Sequence, residues 1–312
     1  MKPLYSSRWL PVVAGTLAIA FSFVSCDWFK GKGGDALTYE WCTIDYEDSI
    51  SVGTSKAYQE MHIDFPANQD MNEADKGTVM ALRWIREQVM SCSFPSFEGE
   101  KLDSAVEFGI DQVERYAEPF VMSCGKQGLD RMHKMLTENE DFAPDFEVNF
   151  MNMLQIQLLA DTEKYVTLVR EYDVYMGGAH GSQLLDGASF SKTTGERLGW
   201  SLLKITDRDA LVALLKEGLK TYFSASGEKI ETDEQLMEIL QLYDDPETPE
   251  DESAAGIPLP ATEPYLSRDG LNFIYQEYEV AAYAYGRPDV TIPMETLQEK
   301  GLLSELGMYY VK

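Results

Sequence analysis

Strand-like and helix-like spacings of apolar residues alternate in blocks along the chain. Residues 38–52 and 58–65 carry the β-branched and aromatic composition of strands with partial alternation. The period then changes. Leu82, Ile85 and Val89 are spaced for one face of a helix. Val106, Ile110, Val113, Ala117, Phe120 and Cys124 form the stripe of a second, longer helix, closed off by Gly128 and the polar residues 137–141. Residues 146–159 and 165–175 read as paired strands, the second placing Val166, Leu168 and, less cleanly, Tyr172 and Val174 on one face. Gln183 to Lys192 is a further strand, followed by the turn Thr193-Thr194-Gly195-Glu196. Thr206 or Asp207 can cap a helix over 209–223 with Leu211, Leu214, Leu215, Leu219 and Tyr222 inward, and an acidic helix follows over 233–242. Leu271, Phe273 and Tyr275 alternate, Val290 and Ile292 form a short strand, and Pro293 and Glu295 open a last helix toward Leu306. Strands, helices, strands and helices in that order predict an α+β fold of mixed and antiparallel sheets with packed helices. The predicted halves are 38–185 and 186–312, packed as one unit. Residues 243–264, dense in Asp, Glu and Pro, are predicted to be a mobile acidic surface loop.

The first block differs from all of these. An apolar run from Leu10 to Val24 follows Lys2 and Arg8, with no acid before it, and ends in Phe23-Val24-Ser25-Cys26. A basic start, an apolar middle and a small residue before a cut are the layout of a signal peptide. The run is short of the roughly 20 residues a spanning helix needs. Residues 1–25 are therefore predicted to be a lipoprotein signal peptide and Cys26 the residue that receives acyl chains. Residues 26–37, with few apolar groups and Gly-Lys-Gly-Gly, read as a flexible tether. The mature chain is expected outside the cytoplasm, lipid-anchored at the outer membrane or cell surface. Cys42, Cys92 and Cys124 then sit in a disulfide-permissive compartment and allow at most one internal bridge.

Charge narrows the partners. The formal net charge is -27, and loss of Lys2 and Arg8 leaves the mature chain about two units more negative. Such a surface repels nucleic acid and anionic lipid and speeds encounter with cations.

Catalytic signatures are sparse. Tyr175-Met176-Gly177-Gly178-Ala179-His180-Gly181 is the sharpest local feature, a glycine-rich turn that holds a histidine. His62 and His133 are distant in sequence, and no HExxH, CxxC or EF-hand series is present. No metal or cofactor is expected. Ser189-Phe190-Ser191-Lys192 matches S-x-x-K in letters only, because it lies on a strand and not at a helix start. Tyr265, Tyr275, Tyr278, Tyr283 and Tyr285 cluster late and could stack on sugar rings or anchor a protein, besides filling a half-buried sheet.

Two segments together resemble a known family. The first is Tyr175 to Gly181 followed by Phe190, Thr194-Gly195 and Leu198. The second is Leu266-Ser267-Arg268-Asp269-Gly270-Leu271-Asn272-Phe273, then Tyr278-Glu279-Val280, Tyr283-Ala284-Tyr285-Gly286 and Val290-Thr291-Ile292-Pro293. The pair is similar to the PdaC/RsiV-like family of extracytoplasmic domains, which includes the outer part of a lysozyme-sensing anti-sigma factor and a non-catalytic region of a peptidoglycan deacetylase. Glu277 and Ala282 stand where that family often has proline, and Met294 where it often has tyrosine. The resemblance implies a non-catalytic envelope module that binds or senses a basic protein such as lysozyme. The implied contact residues are Gly177, Gly178, His180, Tyr278, Glu279, Tyr283 and Tyr285. Two other readings stay open: a peptidoglycan-binding accessory protein that uses the tyrosine faces, and a hydrolase with His180 and a nearby carboxylate as acid and base.

Overall fold

The computed structural model describes residues 41–66, 74–92, 113–138, 147–204, 208–225, 229–240 and 256–311, with the side chains of 92 and 113–116 excepted. The predicted signal peptide, Cys26 and the tether lie outside these residues. So do most of the polar turn after residue 66 and the start of the second helical stripe.

The first sheet has six strands in the order of the chain: β1 (Trp41–Val52), β2 (Ser55–Pro66), β3 (Asn149–Asp161), β4 (Tyr165–Tyr175), β5 (Ser182–Ser191) and β6 (Arg197–Leu198). Neighbours are antiparallel except β2 and β3, which run parallel. A parallel pair needs a crossover connection. Here the crossover contains two helices, α1 (Lys76–Cys92) and α2 (Val113–Glu138). The boundary drawn at 185/186 therefore runs through β5, whose ten residues are one strand of this sheet. α2 also continues through Gly125 and Gly128 to Glu138. The ring of Tyr46 on β1 packs where a side chain at Gly125 would stand, so that glycine serves close approach and not termination.

Strand alternation sends one set of side chains to the helices. Met61, Ile63, Phe65, Leu154, Ile156, Val166, Leu168, Ala188 and Phe190 form a core with Leu82, Ile85, Val89, Phe120, Val121 and Cys124. Cys42 on β1 is half-buried against the same core.

The other face of β4 and β5 carries the second layer. Its sheet has three antiparallel strands, β7 (Tyr265–Leu266), β8 (Leu271–Ile274) and β9 (Asp289–Ile292). Its helices are α3 (Arg208–Ser224), α4 (Asp233–Ile239), α5 (Met294–Glu299) and α6 (Glu305–Tyr309). Leu211, Leu215, Leu219, Phe223, Leu271, Phe273, Tyr275, Val290 and Ile292 share its core. The single last helix expected toward Leu306 is two, because Gly301 takes a positive φ of 71° between them. The layers meet closely: the Tyr265 ring lies over Gly187 where any Cβ would collide, Leu266 N–H donates to Ser189 Oγ at 2.8 Å, and the Tyr165 hydroxyl donates to the Ser267 carbonyl at 3.1 Å.

The acidic stretch expected over 243–264 as a mobile loop is corrected in its second part; residues 243–255 lie outside the described set. Ile257 is buried in the second core, and the Pro258 carbonyl accepts from the Tyr275 hydroxyl at 2.9 Å. Proline-rich composition hid one deeply anchored isoleucine. Among the described residues no helix is long and apolar enough to cross a membrane.

Candidate functional site

The two segments singled out by sequence meet in space. The β4–β5 hairpin loop carries Gly177 and Gly178 at φ 89° and 103°, conformations open to glycine at little cost. The Tyr175 hydroxyl donates to the Gly178 carbonyl at 3.0 Å and ties the loop to its own stem. His180 projects from this loop and is exposed. Its Nδ1 lies 2.8 Å from the Gly181 carbonyl and its Nε2 lies 3.0 Å from the Tyr278 hydroxyl. A carbonyl only accepts, so Nδ1 carries the proton, and in the neutral ring Nε2 accepts from Tyr278. The imidazole also stacks on Tyr283, with ring centres 4.2 Å apart and planes inclined by 26°; Tyr278 sits 5.8 Å from Tyr283. Three rings from two distant segments thus form one surface group.

Tyr278 is the only non-glycine residue with positive φ among the described residues, at 64°, and it is 47 % exposed. A left-handed conformation costs an L-residue roughly 1–2 kcal/mol, and here it aims the half-exposed ring at His180 and Tyr283. Strain of this kind clusters at sites of function. Tyr278→Gly relieves the backbone while Tyr278→Ala does not. Both variants lose the ring, so the glycine variant is expected to be the more stable of the two by about 1 kcal/mol in urea unfolding.

The loop that holds Tyr278 is fastened by side chains. Gln276 accepts from Leu185 N–H at 3.2 Å and donates to the Leu185 carbonyl at 2.7 Å, extending β5 by one rung. Glu277 accepts from Gln183 N–H at 3.3 Å. Glu279 sits behind the loop: its carboxylate accepts from Ala261 N–H at 2.6 Å and Gln276 N–H at 2.7 Å. Burial raises the Glu279 pKa and these two backbone bonds oppose the rise. Its geometry is that of a clamp rather than a contact. Tyr285 turns to the other side, with its ring against Phe223 of α3 at 5.5 Å and its carbonyl accepting from the Tyr222 hydroxyl at 3.0 Å.

Below the rings lies a polar floor that sequence reasoning missed. Arg287 pairs with Glu171 of β4 at 2.5 Å. Asp173, two residues along the same face of β4, has its pKa raised by burial first and by Glu171 second, with Arg287 opposing. Asp173 Oδ1 and Arg287 Nη1 are buried without a hydrogen-bond partner. Burial also raises the Tyr283 hydroxyl pKa, helped by Glu277. The signal was the period of β4: residues 171 and 173 alternate opposite to the core residues Val166, Leu168 and Tyr172. No group of three or more His, Cys, Asp or Glu among the described residues is arranged to hold a metal ion. The arrangement offers aromatic faces and oriented acids, which suit contact with a cationic or ring-bearing ligand.

Comparison with known proteins places this architecture. The fold is shared with solved structures of DUF3298 family proteins: one from Pseudomonas aeruginosa, at a TM-score of 0.52 and 13 % identity, and one from Bacteroides fragilis, at 0.51 and 17 %. Each alignment covers 87 % of this chain and 96 % of the other. Residues 207–295 match the family model described as a protein of unknown function, DUF3298. That stretch includes Tyr278 and Tyr283 and stops short of His180, which enters from the first sheet. No curated protein matches the chain.

Proposed function

We propose that this chain is a non-catalytic envelope lipoprotein, anchored through acyl chains on Cys26, that binds a basic protein of the lysozyme type. The observation that carries the reading is the exposed, backbone-strained Tyr278 joined to His180 and Tyr283. A ring held at that energetic cost on an acidic chain suits an anchor for a cationic surface. The net charge of -27 adds steering, which raises the encounter rate and is weakened by salt. Co-sedimentation with hen lysozyme at low and at physiological salt tests it. Binding that is tighter at low salt, and weakened by Tyr278→Ala, is expected. No binding at low salt removes the reading.

The exposed rings support a second reading, in which peptidoglycan is the ligand. Stacking on sugar rings is screened little by salt. Retention on peptidoglycan that survives high salt and is lost with Tyr278→Ala would favour it over the protein partner.

A further inference from the structure

The far end of the first sheet offers a second surface. β1 stands at the edge of the strand order, and among the described residues no strand pairs with its outer side. It is 12 residues long and keeps unbroken register with β2 from Trp41↔Pro66 to Val52↔Ser55. Long, regular edges are usually blunted by proline, lysine or a bulge, because their unpaired N–H and C=O groups template another strand. β1 contains no proline, lysine or bulge, and the charges it does carry, Asp45, Glu47 and Asp48, are all acidic.

The outward groups can be identified. Ser49 N–H is met by the neighbouring carboxylate, Asp48 Oδ1, at 2.7 Å. A ladder N–H aimed at β2 would be held by β2, so Ser49 points outward. By the alternation of antiparallel pairing, the N–H and C=O of Thr43, Asp45 and Glu47 point outward with it. The side chains of these same residues lie on the sheet face opposite α2. There Asp45 stands across from His62, at 2.6 Å, and Glu47 directly across from Glu60. Opposed like charges destabilise a sheet. Among the described residues neither glutamate has a basic partner; Glu60 accepts from the Tyr58 hydroxyl at 2.6 Å. On the other face, Ile44 and Tyr46 remain half-buried against the helix-side core.

We propose that β1 accepts an extended cationic segment of a partner protein as a seventh strand. Main-chain bonds run to the outward groups of residues 43–49. Lys or Arg at every second position lies over Asp45 and Glu47, and the alternate apolar residues cover Ile44 and Tyr46. Charge complementarity selects this occupant over a second copy of the chain, whose β1 would oppose acid to acid. The surface is separate from the His180 group: β1 and β4 are three strand spacings apart, about 14 Å. The inference therefore stands whether or not the proposal above does.

The test uses the full chain and a capped (Lys-Val)5 peptide. Saturable binding is expected, with slowed hydrogen exchange at the amides of residues 43, 45 and 47. Asp45→Lys combined with Glu47→Lys is expected to weaken binding by about tenfold or more, without loss of fold, since relief of the Glu47–Glu60 opposition offsets the loss of the exposed Asp45–His62 contact. His180→Ala should leave binding unchanged. A peptide N-methylated at alternate amides, which keeps its charge and loses one hydrogen-bonding edge, is expected not to bind. Absence of peptide binding, equal binding of the N-methylated peptide, or unchanged β1 exchange would overturn the proposal.

Discussion

Replacing Lys192 with methionine is expected to lower the unfolding free energy by about 3–5 kcal/mol, the usual cost of leaving one charge of a buried pair alone. Lys192 is 5 % exposed at its side chain, and its ammonium contacts Asp161, whose carboxylate is fully buried. Asp161 also accepts from Trp41 Nε1 at 3.1 Å, and Asp75 lies 3.9 Å from the ammonium. Asp75 in turn caps α1, accepting from Thr78 N–H at 2.8 Å. One cation thus joins the first residue of β1, the end of β3, the residue after β5 and the start of α1. Removing it strands Asp161 in the interior without its counter-charge. The check is urea unfolding with the midpoint falling and the slope unchanged. A double variant, Lys192→Met with Asp161→Leu, should recover most of the loss, because an apolar pair carries no desolvation cost. A midpoint unchanged in the single variant would mean that water reaches the pair.

The second large effect lies in the other core. Tyr275→Ala is expected to cost about 3–5 kcal/mol, as for other large aromatic truncations. Tyr275 is fully buried, its N–H donates to the Pro288 carbonyl at 2.9 Å, and its hydroxyl anchors Pro258. Burial raises its phenol pKa well above the usual range, so the hydroxyl stays a donor at every working pH. Tyr275→Phe keeps the packing and loses only that bond, at about 1 kcal/mol. Tyr275 also precedes Gln276, Glu277 and Tyr278. The alanine variant should therefore loosen the aromatic group as well as the core. Faster amide exchange at 276–286, under conditions where the six-stranded sheet stays protected, is the expected pattern.

Much of this architecture was legible in the chain. The period of two in 165–175 and the stripe through Leu82, Ile85 and Val89 named real elements, because burial on one face writes itself into spacing. The clustering of His180 with Tyr278 and Tyr283 was suggested by resemblance; no spacing rule could bring together residues 98 positions apart. Other features were hidden for physical reasons. Gly128 reads as a stop by propensity, yet α2 runs through it to Glu138, and Gly125 before it is there for the Tyr46 ring. Lys192 and Asp161 look like surface residues by type, and only tertiary pairing puts them inside. The left-handed backbone of Tyr278 has no sequence signature at all.

We propose the His180, Tyr278 and Tyr283 face as the place where a basic partner docks. Amide hydrogen exchange of the chain with and without hen lysozyme at low salt is the decisive measurement. Exchange is expected to slow in 176–181 and 276–286. A complex that forms while those two segments exchange at their original rates would contradict it.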